Sequence, residues 1–158
     1  MNPQIESAKR DFEQTVGRLT KSLESTGDDK LNWSPSPTAR TPLEIGFHAA
    51  TVIAILHGSL DGTSPMTSMS TAEIDAWCRQ EEAKHGSRDE VMAMIAANSA
   101  GFAAWLESLD DAKLNEVWHS PFGDIPYFVA ISLPTYHTSG HVAQLEYIQT
   151  IYGDRVWH

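Results

Sequence analysis

Cysteine is almost absent from the sequence, with Cys78 alone among 158 residues. A single cysteine excludes both an intrachain disulfide and a cysteine-rich zinc motif. Cys78 follows Trp77 within a helical pattern, where cysteine is more often a small packed residue than a reactive thiol. The chain must therefore be held together by an apolar core, and its length suits one domain over residues 1–158.

Basic residues are also scarce, with 11 lysines and arginines against 21 acidic residues and a formal net charge of -10. A protein that binds nucleic acid needs a basic face, so nucleic acid is not an expected partner. The first ten residues lack the apolar segment of a signal peptide, and the longest apolar stretch, near 47–56, is too short to span a bilayer. We therefore expect a cytoplasmic protein that does not bind membranes.

Apolar residues recur at spacings of three and four, which is the period of an amphipathic helix. The first predicted helix covers residues 3–24. A capping box, Thr41-Pro42-Leu43-Glu44, begins a second helix that we expect to end near His57 or Gly58. Two further capping boxes, at Ser70 and Ser87, predict a short helix over 71–84 and a long one over 88–109.

Residues 110–124 are predicted to form a loop with a tight turn at 121–124. Asp124 is then expected to cap the last helix, with Pro126 in its first turn and Gly153 at its end. No segment shows the pattern of a strand. The sequence thus predicts an all-α fold, a four-helix bundle with an additional short helix.

Three histidines occupy helix positions that are predicted to face the core. His137 and His141 are four residues apart, so their side chains share one helix face at a distance that suits two ligands of one metal ion. His137, His141 and Gln144 continue into Ile148 and Ile151 at core spacing. His48 lies on the second helix among apolar residues at spacings of three and four. These three histidines and Gln144 are therefore predicted to point toward one interior.

Buried polar side chains cost free energy unless they are satisfied, and one divalent metal would satisfy three imidazoles together. The alternative for any single histidine is a hydrogen-bonded core residue. Glu44, one turn before His48, is a candidate hydrogen-bond partner of a metal ligand, with its capping role as the alternative. Gln144 is a second candidate partner, or a core amide bonded to backbone. The remaining histidines, His57, His85, His119 and His158, are predicted to be solvated or to cap helices.

The chain resembles the DinB-like superfamily of metal-binding four-helix bundles. The matching residues are Leu31-x-Trp33-x-Pro35, then Pro42-Leu43 with His48, and finally His137-x-x-x-His141-x-x-Gln144 before Tyr152-Gly153-Asp154. The resemblance implies a divalent ion on His48, His137 and His141, either nickel or zinc, with manganese and iron as alternatives. It also implies a homodimer. Two residues depart from a regular last helix, because Pro134 should bend it and Gly140 should weaken it.

The resemblance implies a metal-dependent enzyme acting on a small-molecule substrate, either a hydrolase or a low-molecular-weight thiol S-transferase. Three imidazoles leave coordination positions open, as catalytic zinc sites do. The alternative is a non-catalytic bundle that the metal merely staples, with a structural or interaction role. Because only neutral imidazole binds a metal, the sequence predicts weaker binding below pH ~6.

Overall fold

The computed structural model describes residues 2–64, 69–82, 84, 86–120 and 123–156. Helices account for most of this part of the chain, and one small hairpin interrupts them. The elements are, in chain order, α1 (Pro3–Ser25), α2 (Pro42–Asp61), α3 (Thr71–Glu82), α4 (Arg88–Ser108), α5 (Asp111–Leu114), β1 (Val117–Ser120), β2 (Gly123–Pro126), α6 (Tyr127–Ala130) and α7 (Leu133–Ile151).

The four long helices, α1, α2, α4 and α7, form the bundle. α1 packs along α4 and α7, and α2 packs along the same two helices. α1 and α2 are consecutive long helices, yet they lie diagonally across the bundle with few contacts between them. The short helix α3 packs on the outside of α2. The predicted four-helix bundle with one additional short helix is confirmed.

Local sequence explains where the long helices begin. Asn2 caps α1 by accepting a hydrogen bond from the backbone of Gln4, and Pro3 stands at the first helical position, where a missing N–H costs nothing. The predicted capping box of α2 is present, with the Thr41 hydroxyl and the Glu44 carboxylate each accepting a backbone N–H.

α2 is the most buried helix of the bundle. Its length and apolar composition would suffice to cross a membrane, but 61% of its most apolar window is buried inside the protein. Gly46 leaves room for a side chain of α1 in the core, because a Cβ there would stand 2.6 Å from a methyl carbon of Leu23. α2 ends later than predicted, at Asp61, where Gly62 follows with a φ of 80°.

The core consists of two apolar clusters that fill the bundle. The first lies between α1, α2, α4 and the hairpin region, and its largest members are Phe12, Ile53, Phe102, Leu106, Trp118 and Tyr127. The second lies between α1, α2, α4 and α7, and it includes Leu19, Leu23, Phe47, Ile95, Val142, Leu145 and Ile148. Val16 packs against both clusters, so the core is continuous.

The prediction of an unbroken loop over residues 110–124 is wrong. This segment contains α5 and an antiparallel hairpin in which Trp118 pairs with Ile125. Trp118 is 5% exposed, and its indole N–H donates to the carbonyl oxygen of Ser59. One buried anchor thus fixes strands that are too short to show an alternating pattern. Residues 121 and 122 of the predicted turn lie outside the described residues.

The start of the last helix also differs from the prediction. Asp124 lies in β2 and accepts from the His119 ring at 2.7 Å, so it does not cap a helix. Pro126 ends β2, and the one-turn helix α6 follows it before α7 begins at Leu133. Pro134 consequently stands in the first turn of α7, where proline is well tolerated, so the physical reason for the predicted bend is removed.

Candidate metal centre

His48 of α2 and His137 and His141 of α7 come together at the side of the bundle. One ring nitrogen from each of the three lies within 4.8 Å of those of the other two. The ring centroids are 4.4 Å apart for His137 and His141, and 4.7 and 5.2 Å from His48 to His141 and His137. His48 is 9% exposed and His141 8%. The predicted convergence of the three histidines is therefore present.

Hydrogen bonds orient two of the three rings. The Nδ1 atom of His48 lies 2.7 Å from Oε1 of Glu82, and Nδ1 of His141 lies 2.8 Å from Oε1 of Gln144. Because a carboxylate or an amide oxygen only accepts, each Nδ1 must carry the hydrogen and donate it. In this tautomer the Nε2 atom of a neutral ring has the lone pair with which imidazole binds a metal.

His137 has the least satisfied ring of the cluster. Its Nε2 lies 3.1 Å from Nε2 of His141, and its buried Nδ1 has no hydrogen-bond partner among the described residues. Metal–nitrogen bonds of about 2.0–2.1 Å separate two nitrogen ligands of a tetrahedral ion by roughly 3.3 Å. The 3.1 Å separation, the unpartnered Nδ1 of His137 and the all-imidazole donor set fit a divalent ion.

Burial sets the protonation state of the pair on α7. Burial lowers the pKa of His137 to about 3, helped by the neighbouring His141 and His48. Burial also lowers the pKa of His141 to about 4, with His48 adding to the effect and the hydrogen bond to Gln144 opposing it. Both rings are therefore neutral in the folded chain well below pH 6. The ordinary pKa of histidine overestimates the pH at which protons compete for these two ligands.

Glu82 and Arg40 belong to the site, although the sequence did not indicate them. Glu82 is 8% exposed, and its carboxylate accepts from His48 and, at 2.9 Å, from Nε of Arg40. Burial alone would raise the pKa of Glu82, but these two hydrogen bonds and the Arg40 charge outweigh it and lower the pKa. The available signal was the spacing of Ile74, Cys78 and Glu82, which places all three on one face of α3.

The two candidate partner residues have different outcomes. Glu44 serves the capping box of α2, and Glu82 is the carboxylate that contacts His48. Gln144 does bond a site histidine, but its side chain is exposed, as is that of Ile151. The buried face of α7 runs instead through Thr138, His141, Leu145 and Ile148. His137 and Gln144 consequently lie at the edge of the core, where the site can reach solvent.

The other titratable residues that the sequence singled out lie apart from the cluster. His57 lies within α2, and its ring packs against the rings of Phe102 and Trp105. Burial lowers its pKa. The predicted position at a helix end is therefore wrong. His119 lies on β1, exposed to solvent. His85 and His158 lie outside the described residues. Cys78 is buried as predicted, and burial raises the pKa of its thiol to about 11, which keeps it protonated.

Two cavities flank the site. The aliphatic cavity, of about 430 Å³, is lined by His48 and His137 together with Val52, Leu56, Ile74, Ile125 and Leu133. The charged cavity, of about 700 Å³, is lined by Arg40, Glu44, Arg79, Glu82 and Gln144. Only the aliphatic cavity, of these two, has site histidines in its wall.

Comparison with known proteins identifies the fold and the family. The chain is similar to YfiT from Bacillus subtilis, described as "a probable metal-dependent hydrolase with an unusual four-helix bundle topology", with a TM-score of 0.76, 18% identity and coverage of 97% of this chain and 90% of that one. It is also similar to a conserved protein from Enterococcus faecalis, with a TM-score of 0.72, 14% identity and coverage of 94% and 97%.

At these identities the two structures show a shared fold. No curated protein matches the chain at a significant level of sequence similarity. The family model of the DinB superfamily matches residues 11–145, which is most of the sequence. The chain therefore belongs to the DinB superfamily.

Proposed function

We propose that the protein is a metal-dependent enzyme, a hydrolase or a low-molecular-weight thiol S-transferase, with a divalent ion on His48, His137 and His141. The observation that carries the proposal is the convergence of three imidazoles beside the aliphatic cavity. Zinc and nickel suit such a donor set, with manganese and iron as alternatives. When bound, the ion supplies Lewis acidity that favours the anionic form of water or of a thiol.

The chain's own residues prepare the ligands. Glu82 and Gln144 each hold one ring by its Nδ1 hydrogen, so that Nε2 stays directed into the cluster. Burial keeps His137 and His141 unprotonated, which removes the need to displace a proton before an ion binds at neutral pH.

An enzyme is favoured over a metal-stapled structural protein by the composition of the cluster. Among the described residues it contains three ligand groups and no fourth. Structural zinc sites are closed by four protein ligands, whereas catalytic sites keep a position for substrate. Two of the three histidines also line a cavity, through which a small molecule would reach that position.

Of the two enzyme classes, hydrolysis has support from a structural relative. The description of YfiT as a probable metal-dependent hydrolase concerns a protein with the same fold at 18% identity. A thiol S-transferase would use the same three ligands and a small thiol in place of water, so both reactions are kept in the proposal.

The ligand assignment is tested by metal analysis of the purified protein. Wild-type protein is expected to hold one divalent ion per chain, and the double variant His48→Ala/His141→Ala is expected to hold none. His119→Ala is the matched control because it removes an exposed histidine on the hairpin. A double variant that keeps a full complement of metal would disprove the assignment.

The enzyme class is tested by comparing metal-free and metal-loaded protein in ester-hydrolysis and thiol-conjugation assays. Circular dichroism on the same samples is expected to show that the helices persist without metal, because the apolar core supplies most of the folding free energy. Turnover should require the ion. If the metal-free form unfolds and the metal-loaded form shows no reaction, the alternative of a non-catalytic bundle stabilised by its metal is favoured instead.

We also propose that the protein is a homodimer. α7 exposes Tyr136, Tyr147 and Ile151, which are 67%, 68% and 48% exposed, share one face of the helix and stand at the edges of the two cavities. Large apolar side chains grouped on one face of a helix are typical of an interface.

A further inference from the structure

The aliphatic cavity is the open side of the histidine cluster. His48 and His137 form part of its wall, and most of the remaining wall is hydrocarbon from four different elements of the fold. The cavity is not a gap at one helix end, since α2, α3, β2 and α7 each contribute an aliphatic side chain. The hairpin therefore has a role at the site, because Ile125 of β2 forms part of the wall.

The charged cavity is separated from the cluster by the two residues that hold the histidine rings. Glu82 and Gln144 contact His48 and His141 on one side and line the charged cavity on the other. A molecule in the charged cavity would therefore meet the carboxylate and the amide before it could meet a ring nitrogen. His48 and His137, in contrast, line the aliphatic cavity directly.

The walls of the aliphatic cavity are poor partners for polar or charged groups. Thr71, Asp75 and Tyr136 also stand among its lining residues, but all three are exposed to solvent, and the Asp75 carboxylate accepts from Nε of Arg79 at 2.9 Å. The Cys78 thiol stays protonated and offers no charge. A polar group buried against such walls loses its hydration without compensation, and a charged group loses more.

We propose that the aliphatic cavity is the substrate pocket of the metal centre and that it selects a neutral substrate with an apolar body. The cavity volume of about 430 Å³, at roughly 30 Å³ per water-sized group, corresponds to about 14 non-hydrogen atoms. The inference rests on the proposed function for its chemical meaning. The pocket itself belongs to the fold and can be probed without turnover.

The test is a titration of the full chain with 1-alkanols from butanol to octanol, followed by NMR of isoleucine, leucine and valine methyl groups, in zinc-loaded and metal-free samples. Affinity is expected to rise about fourfold per methylene until the cavity is filled. 1,8-Octanediol has the same length as 1-octanol but a polar group at each end, and it is expected to bind at least tenfold more weakly.

Two tryptophan variants locate the binding. Ile74→Trp fills the cavity and is expected to weaken 1-octanol binding at least tenfold. Ala76→Trp, on the exposed side of the same helix, is expected to leave it unchanged. Equal affinities across the alkanol series, or equal binding of 1-octanol and the diol, would overturn the inference.

The metal content of the same samples separates this inference from the proposed function. Alkanol binding by a protein that takes up no zinc would support the pocket and remove the metal-dependent enzyme. Stoichiometric zinc binding without alkanol binding would support the metal site and remove the proposed apolar pocket.

Discussion

Two histidines of the site connect protonation to stability. The pKa values of His137 and His141 in the folded, metal-free protein are about 3 and about 4, below the ordinary histidine value of 6.5. Between pH 6.5 and about 4 the unfolded chain therefore binds more protons than the folded chain. The contribution of these two neutral histidines to the free energy of unfolding is fully present above pH 6.5, and it is lost as the pH falls through this window.

We predict that the free energy of unfolding of metal-free protein falls by up to about 1.4 kcal/mol per pH unit for each of these histidines. Urea denaturation at a series of pH values measures the slope. The variant His137→Gln/His141→Gln should give a shallower slope between pH 4 and 6.5, and His119→Gln is the control for loss of an exposed histidine. Identical slopes for wild type and double variant would contradict the burial argument.

Glu82 is the other residue whose removal has a specific expected result. Glu82→Ala leaves the His48 Nδ1 hydrogen and the Arg40 guanidinium without their acceptor, so we predict a 10- to 100-fold loss of metal affinity. Glu82→Gln retains an acceptor oxygen and should lose less. Competition with a chelator measures the metal affinity of both variants. Glu81→Ala, which changes the preceding residue on α3, is the control. Equal affinities of Glu82→Ala and Glu81→Ala would show that the contact does not position His48.

The histidines were predictable and Glu82 was not, for a physical reason. The pairing of His137 with His141 follows from helix periodicity alone, and His48 follows from its apolar neighbours. The contact of His48 with Glu82 joins residues 34 positions apart on separate helices. It depends on how α3 packs against α2, and local periodicity contains no information on that packing.

At the scale of single elements, the packing of α2 against its neighbours gives the clearest prediction. A methyl group at Gly46 would lie 2.6 Å from Leu23 and 3.0 Å from Val91, both fully buried. We predict that Gly46→Ala destabilises the protein by about 1–3 kcal/mol, since overpacking outweighs the gain in helix propensity. Gly17→Ala, on the exposed face of α1 with no atom within 4 Å, should stabilise by up to about 1 kcal/mol.

Denaturant unfolding of the two alanine variants beside wild type is the measurement. A Gly46→Ala protein as stable as Gly17→Ala would mean that the Leu23 and Val91 side chains move aside at little cost. The same experiment would then remove the argument that glycine is needed at this crossing.

Element boundaries were predictable where a cap marks them and less so elsewhere. The capping boxes at Thr41, Ser70 and Ser87 located the starts of α2, α3 and α4, and each helix begins there. The hairpin was missed because strands of four residues with one buried anchor, Trp118, have no periodicity to detect. Pro126 suggested the start of the last helix and Pro134 a bend within it, whereas the structure places the one-turn helix α6 between them and begins α7 at Leu133.

At the scale of the whole molecule, the proposed dimer is open to a direct test. We predict that sedimentation of wild-type protein at micromolar concentration shows a dimer. Tyr147→Glu should shift the population to monomer, because it places a charge on the exposed apolar face of α7. Val156→Glu, which changes an exposed valine beyond the end of α7, is the control. A wild-type protein that is monomeric throughout would remove the dimer proposal.

The pairing of the first and last long helices sets an order for biosynthesis. α1 and α7 pack together along the bundle, and Gln149 near the end of α7 donates to the Ser22 carbonyl near the end of α1. Two of the three site histidines are also on α7, so His48 leaves the ribosome 89 residues (137 minus 48) before the first of them. A nascent chain would therefore expose an unpaired face of α1 until α7 has been synthesised, and a chain interrupted before α7 would have neither a closed core nor the three-histidine cluster.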